Sequence, residues 1–133
     1  MKSSQHSQLE FMLLQKEILT GKVSIKAYNP GEIILNTGKH LSPILIIEGQ
    51  LAEFGNIDAF DQLSMDNLAT FLENKPELLI IGSGPKHKLL PSHLTQAINK
   101  LGIAVESMAS RQACHTYQVL SHDKRKVFAL IFP

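Results

Sequence analysis

The segment Gly82-Ser83-Gly84 is the strongest candidate for ligand chemistry in this chain. Glycines let the backbone come close to a ligand, and the free amide groups of a following helix can bind an anion. The basic residues 86–88 would add positive charge beside them. The spacing matches neither a dinucleotide-binding fingerprint nor a phosphate-binding loop, so a tight turn followed by a solvated basic loop is the favoured alternative.

A second candidate group stands at the start of a later helix. Ser110 is predicted to cap that helix, and Arg111 can hold a carboxylate or a phosphate through two hydrogen bonds. If both loops leave the same edge of a sheet, these residues line a crevice together with Gly82 and Gly84. The alternative is that the serine only caps the helix and the arginine is a surface side chain, and the pattern slightly favours that interpretation.

Cys114 is the only cysteine and lies one turn into the same helix, where the helix dipole modestly favours a thiolate. His115 follows it, but neighbouring helix residues point about 100° apart, so the two cannot form a nucleophile–base pair. A small buried residue is therefore the favoured interpretation, and no catalytic residue is predicted. None of the six histidines has a second ligand at helical i, i+4 spacing, so the sequence predicts neither a metal site nor a cofactor.

Two strand–helix units and a final strand must position these residues. Apolar runs and helical periodicity predict strand, helix, strand, helix and strand for residues 77–81, 91–101, 103–106, 110–120 and 127–132. Right-handed crossovers make the first two strands parallel neighbours, so the loops that follow them leave the same edge of the sheet. The last strand is apolar almost throughout, which is typical of burial on both faces.

The two helices of these units have distinct apolar faces. The helix at 91–101 should bury Leu94, Ala97, Ile98 and Leu101, with Pro91 at its first position. The helix at 110–120 should bury Ala113, Tyr117 and Leu120, with Arg111, His115 and Gln118 on the opposite side.

The first half of the chain predicts antiparallel hairpins. Alternating residues predict strands at 23–27, 32–35 and 41–47, with Pro43 marking an edge or a bulge. A helix capped by Ser64 follows and runs to about residue 74. The predicted fold is a single α/β domain over residues 20–133, with a mixed central sheet, N-terminal antiparallel hairpins and two strand–helix units packed by helices; residues 1–19 form an N-terminal extension.

Composition narrows the class of protein. The 133 residues are 44% hydrophobic and 19% charged, which is enough for one packed core. A net charge of +1 gives no field that would gather nucleic acid. Residues 9–19 are apolar but too short and too charged to span a bilayer, and no secretory signal is visible, so a cytoplasmic protein is expected.

Residues 28–36, 80–84 and 105–120 resemble a known small family. It includes mitochondrial complex I assembly factor 3, the adipogenesis-associated domain protein and many prokaryotic proteins. The resemblance implies a single α/β domain with no established enzymatic activity, and a eukaryotic member that helps assemble respiratory complex I through protein contacts. Ala109, Ser110 and Gln118 stand where the family usually has aspartate, threonine and asparagine.

These observations predict a non-enzymatic protein-binding module, bacterial and cytoplasmic, that assists the assembly of a respiratory, complex I-like membrane complex. The alternative is a small-anion or metabolite binder, or an enzyme, that uses the crevice between the two loops. The candidate ligand-binding residues of that crevice are Gly82, Ser83, Gly84, Ser110, Arg111 and Cys114. A third possibility is a homodimer in which residues 9–19 pack on a partner.

Overall fold

The strands of the described part of the chain form two separate sheets. The computed structural model describes residues 8–9, 11–12, 21–123 and 125–133. In that part of the chain, an antiparallel meander is formed by β1 (Ile25–Asn29), β2 (Glu32–Leu35) and β3 (Gly38–His40). A mixed sheet is formed by β4 (Ile44–Ile47), β5 (Gln50–Ala52), β6 (Leu78–Ser83), β7 (Ala104–Met108) and β8 (Val127–Phe132), in the order β5-β4-β8-β6-β7.

Three α-helices pack on the mixed sheet: α1 (Met65–Leu72), α2 (Ser92–Lys100) and α3 (Ser110–Leu120). A short 3-10 turn at Phe60–Gln62 precedes α1. None of the helices in the described residues is long and apolar enough to cross a membrane. The single α/β domain with a mixed central sheet is confirmed, while the division between residues 1–19 and 20–133 stays a prediction.

The centre of the mixed sheet is the parallel trio of strands that positions the candidate site. β6 pairs in parallel with β7 on one side, starting at Leu78 opposite Ala104, and with β8 on the other. This confirms that β6 and β7 lie side by side and point the same way. Their following loops therefore leave the same edge of the sheet.

Both faces of this sheet are covered, which explains why its central strands are apolar throughout. On one face, α1 and α2 pack over Leu79 and Ile81 of β6. On the other face, α3 and the meander pack over Ile80 of β6 and Ala129 of β8. Each fully buried leucine or isoleucine contributes about 1.5–3 kcal/mol relative to leaving it in water.

The predicted strand at 41–47 is shortened to β4 in the structure, and a separate strand, β3, which was not predicted, precedes it. β3 ends at His40 and completes the meander, whereas β4 begins at Ile44 and joins the central sheet beside β8. Pro43, which has no N–H to donate to a ladder, lies just before the start of β4. The hairpins consequently form their own sheet over α3 instead of extending the central one.

The helix ends follow local chemistry, with small shifts from the predicted bounds. Ser64 caps α1 as predicted, because its hydroxyl accepts from the Asn67 amide at 3.4 Å. Pro91 is the N-cap of α2 instead of its first residue. Leu101, predicted on the buried stripe, is 43% exposed because α2 has already ended at Lys100.

Most of the segment 9–19 lies outside the described residues, and so does the homodimer contact predicted for it. Of this segment, Leu9, Phe11 and Met12 are described; they are helical and exposed.

Candidate functional site

The loops after β6 and β7 meet, as the parallel strands require. Two hydrogen bonds join them: the Ser110 amide donates to the Gly84 carbonyl at 2.8 Å, and the Gly84 amide donates to the Ser110 hydroxyl at 2.7 Å. We call this pair of residues the loop junction. Because the two residues satisfy each other, the amide that could have bound an anion at Gly84 is already used.

The predicted capping role of Ser110 is wrong. Ala109 is the N-cap of α3, and Ser110 is the first residue of the helix, with none of its surface exposed. Besides accepting from Gly84, its hydroxyl donates to the carbonyl of Phe132 at the end of β8. The hydroxyl faces two backbone groups from distant strand ends, so it bonds to them instead of to its own helix.

Ser83 is also committed to internal hydrogen bonds. Ser83 is 4% exposed. Its hydroxyl can donate to either of two carbonyl oxygens, that of Lys86 at 2.8 Å or that of Met108 at 3.1 Å. The same oxygen accepts from the Lys88 amide at 3.0 Å. This serine therefore folds the basic loop back against the ends of β6 and β7.

The two glycines of the turn have different roles. A Cβ on Gly82 would lie 2.8 Å from the Ser110 hydroxyl oxygen and 3.0 Å from both the Ala113 Cβ and the Ile131 Cγ2. The element that approaches this backbone closely is thus α3. Gly84 has φ +99° with open space around it, which is the positive φ that the turn interpretation predicts.

Arg111 lies at the surface beside the loop junction. Its guanidinium carbon is 5.4 Å from the centre of the Tyr28 ring, within the range of a cation–π contact. Tyr28 itself is buried, and its hydroxyl has no hydrogen-bond partner in the described residues. Burial raises the pKa of the Tyr28 phenol, with Cys114 adding to the rise and Arg111 opposing it.

Cys114 packs beneath Arg111 as a small buried residue, in line with the favoured interpretation. It is 5% exposed, and burial raises the pKa of its thiol to about 11, although Arg111 acts in the opposite direction. The thiol is therefore protonated at neutral pH. Since the thiolate is the nucleophile, this environment opposes nucleophilic chemistry.

We expect the protein to lose stability between about pH 9 and pH 11. In the unfolded chain Cys114 ionises near its ordinary pKa of 9, whereas in the folded chain it stays neutral until about 11. A group whose pKa is raised by folding stabilises the fold fully below the unfolded pKa and loses that contribution as the pH rises. Urea unfolding at about pH 7.5 and pH 10.5 should differ by about 1–3 kcal/mol from this source.

Cys114→Ala is the control for that experiment. Tyr117, whose pKa burial raises to about 12, also responds to alkali and remains in the variant. The variant should therefore lose less free energy of unfolding than the wild type over the same pH interval. An equal loss in both proteins would contradict the assignment to Cys114.

Gln118 was predicted to point away from the core and does not. It is half-buried, and its side-chain oxygen accepts from the Ile25 amide at 3.0 Å, which ties α3 to β1. In the sequence, the only sign that Gln118 has a specific role was the family resemblance, because related proteins usually have the shorter asparagine at this position. The added methylene lengthens the reach of the amide, and its role here is structural.

An open depression lies next to the loop junction. It has a volume of about 330 Å³ and is lined by His87, Leu89, Leu90, Thr95, Val105, Glu106 and Ser107. The predicted crevice residues are thus brought together, but the concave surface lies to one side of them. Within residues 8–9, 11–12, 21–123 and 125–133, no group of three or more histidine, cysteine, aspartate and glutamate residues could hold a metal ion. Anion binding at the junction stays a prediction.

Comparison with known proteins places these features in context. The family model described as "Protein of unknown function (DUF498/DUF598)" matches residues 25–132, from the first residue of β1 to the last residue of β8. The chain is 35% identical over 121 residues to the 13 kDa major membrane protein of Francisella tularensis subsp. holarctica (strain LVS), covering 90% of this chain and 98% of that protein.

Two further relatives extend the comparison. The NADH dehydrogenase (ubiquinone) 1 alpha subcomplex assembly factor 3 of Danio rerio is 28% identical over 131 residues, covering 97% of this chain and 74% of that protein. A crystal structure of a Bordetella parapertussis protein superposes with a TM-score of 0.75 at 24% identity, covering 84% of this chain and 96% of that one. At this identity the structural match establishes the fold alone.

Proposed function

Because this chain belongs to the DUF498/DUF598 family, we propose that it is a non-enzymatic protein-binding module. In this proposal it assists the assembly of a respiratory, complex I-like membrane complex. The similarity to an assembly factor of NADH dehydrogenase supports the assembly role. A bacterial origin and a cytoplasmic location belong to the same proposal. The observation that supports the non-enzymatic part of this proposal is that the polar groups of the loop junction are already paired.

The loop junction supports binding over catalysis because its polar groups are already paired. The Gly84 amide and the Ser83 and Ser110 hydroxyls bond to groups of the protein itself. A small ligand would have to break these buried bonds before forming its own, and leaving a buried group unpaired costs about 1–3 kcal/mol. The buried, protonated thiol of Cys114 adds no reactive group.

Arg111 is an exposed charged residue at this edge of the sheet. Arginine is enriched in protein interfaces because its planar head combines a charge, several donors and a face that stacks on aromatic rings. Here Tyr28 already holds the guanidinium from one side, which reduces the freedom that binding would remove. We therefore assign Arg111 to the partner-binding surface.

The test is the assembly of NADH dehydrogenase in cells that lack this protein. We expect the amount of assembled complex on native gels to fall severalfold, and the wild-type chain to restore it. Arg111→Ala should fail to restore it while remaining folded, since an exposed cation–π contact is worth only about 0.5–1 kcal/mol. Lys100→Ala, which removes an exposed cation at the end of α2, should restore assembly fully.

Each outcome bears on a different part of the proposal. Unchanged assembly in the deleted strain would overturn the assembly role. If Arg111→Ala restores assembly as well as the wild type does, the assembly role is retained and the assignment of Arg111 to the partner-binding surface is rejected.

A further inference from the structure

Among residues 8–9, 11–12, 21–123 and 125–133, β7 is an edge strand whose outer side pairs with no other strand. It stands last in the order of the central sheet, and β6 is its neighbour. The Ala104 amide donates to the Glu77 carbonyl, so Ala104 faces β6. Backbone groups alternate along a strand, and Val105 and Ser107 therefore direct their amide and carbonyl groups to the open side. Such a row of groups can pair with another strand.

The open depression described above borders this free edge. Val105 and Ser107 of β7 and Leu89 and Leu90 of the loop after β6 all line it. Leu89 is 79% exposed, an unusual position for a leucine in a well-packed domain. A strand edge without a partner strand, beside a hollow whose lining includes Leu89, Leu90 and Val105 together with polar residues, has the two parts of a strand-addition site: backbone groups that bind, and a recess that accepts one side chain.

The loop beside the depression carries two lysines and a histidine. Lys86, His87 and Lys88 are exposed in this loop; His87 lines the depression, and the Lys88 ammonium lies 3.7 Å from the Asp61 carboxylate. Glu106 has the same parity along β7 as Met108, which packs beneath α3 on the other face of the sheet. The parity places the Glu106 side chain on the face of α3, although Glu106 also contributes to the lining of the depression at the edge of the strand.

We infer that the free edge of β7 binds an extended segment of a partner protein, which pairs with Val105 and Ser107, places an apolar side chain in the depression beside Leu89, and directs an acidic side chain to Lys86. This inference rests on the proposed protein-binding function and adds a second contact, at the edge of β7, to the surface assigned to Arg111.

A second copy of this chain fits the edge less well. In a two-fold antiparallel pairing that sets Val105 opposite Ser107, the two Glu106 residues stand directly opposite each other. Like charges at directly opposed positions destabilise a strand pair. β7 is also only five residues long, so this pairing alone would bury little of the area that a stable dimer needs.

The direct test is titration of the isotope-labelled chain with two synthetic peptides. Each is a segment of about seven residues that alternates valine and threonine, flanked at both ends by aspartate in one and by lysine in the other. The aspartate peptide should shift the amide resonances of Val105, Ser107 and residues 86–90. At saturation it should slow hydrogen exchange at Val105 and Ser107 by about tenfold or more, and the lysine peptide should bind at least about fivefold more weakly.

Ser107→Pro removes one outward donor without touching a bond to β6, and proline is tolerated on the free side of an edge strand. It should weaken binding of the aspartate peptide by about tenfold or more, while Ser107→Ala, which keeps the amide, should bind like the wild type. If the proline variant fails to fold, a peptide with alternate N-methylated amides supplies the same comparison from the ligand side and should not bind.

Three results would overturn the inference: no slowed exchange at either amide, equal binding of the two peptides, or shifts that depend on protein concentration without any peptide, which would indicate a second copy. The proposed function can fail separately. Peptide binding without an assembly defect would retain the edge site and reject the assembly role, whereas an assembly defect without peptide binding would place the partner on another surface.

Discussion

Replacing Ser110 with alanine is expected to lower the free energy of unfolding by about 2–4 kcal/mol. The hydroxyl is fully buried and holds the Gly84 amide and the Phe132 carbonyl at the same time. Alanine leaves a buried donor and a buried acceptor without partners, and each such group costs about 1–3 kcal/mol. Urea unfolding followed by far-ultraviolet circular dichroism measures the loss.

Ser121→Ala is the matched control, at the opposite end of the same helix. Its hydroxyl donates to the Gln118 carbonyl at 2.8 Å, but this bond is exposed, so water can replace it. The expected change is within about 0.5 kcal/mol. Similar losses in the two variants would show that the loop junction has no special role in holding the strand ends together.

Gly82→Ala is expected to cost about 1–3 kcal/mol, for a reason unrelated to backbone conformation. Seven of the eight glycines have a positive φ, and Gly82 does not. The added methyl would instead press on Ser110, Ala113 and Ile131 at 2.8–3.0 Å. These neighbours belong to the packed contact between α3 and the central sheet, so either the helix or the strands must shift. The same unfolding measurement tests it.

Two comparisons separate this steric cost from other causes. Combining Gly82→Ala with Ala113→Gly removes one of the close contacts, so the pair should cost less than the sum of the single changes. In Gly84→Ala, the added Cβ has no atom within 4 Å. This change should lower the free energy of unfolding by about 1–2 kcal/mol, only because alanine disfavours the positive φ. Strict additivity of the first pair would contradict the proposed contact between α3 and β6.

The central architecture was predictable because its signals are local. The apolar runs of β6 and β8 and the helical spacing of α3 are visible in the sequence, and the handedness of crossovers then makes β6 and β7 parallel. Ser64 was also predictable, because its partner Asn67 is three residues away. Sequence patterns that span only a few residues therefore determine the secondary-structure elements and their caps.

The candidate site depends on partners that are distant along the chain. Ser110 bonds to residues 26 and 22 positions away, and no local pattern distinguishes that arrangement from a helix cap. Gln118 bonds to Ile25 across 93 positions. The separation of β3 from β4 depends on which sheet can bury Ile44 and Ile46, and that choice is made by tertiary packing. The roles of side chains where two secondary-structure elements meet could therefore be identified only from the structure.

The position of β8 has a consequence for biosynthesis. This strand lies between β4 and β6 in the sheet but follows both of them along the chain. While a ribosome is still making the chain, β4 and β6 have no neighbour on their facing sides, and each presents an open ladder with apolar side chains. The nascent protein is thus most prone to aggregate before β8 has been synthesised, and pairing of β8 with both strands closes the gap in one step.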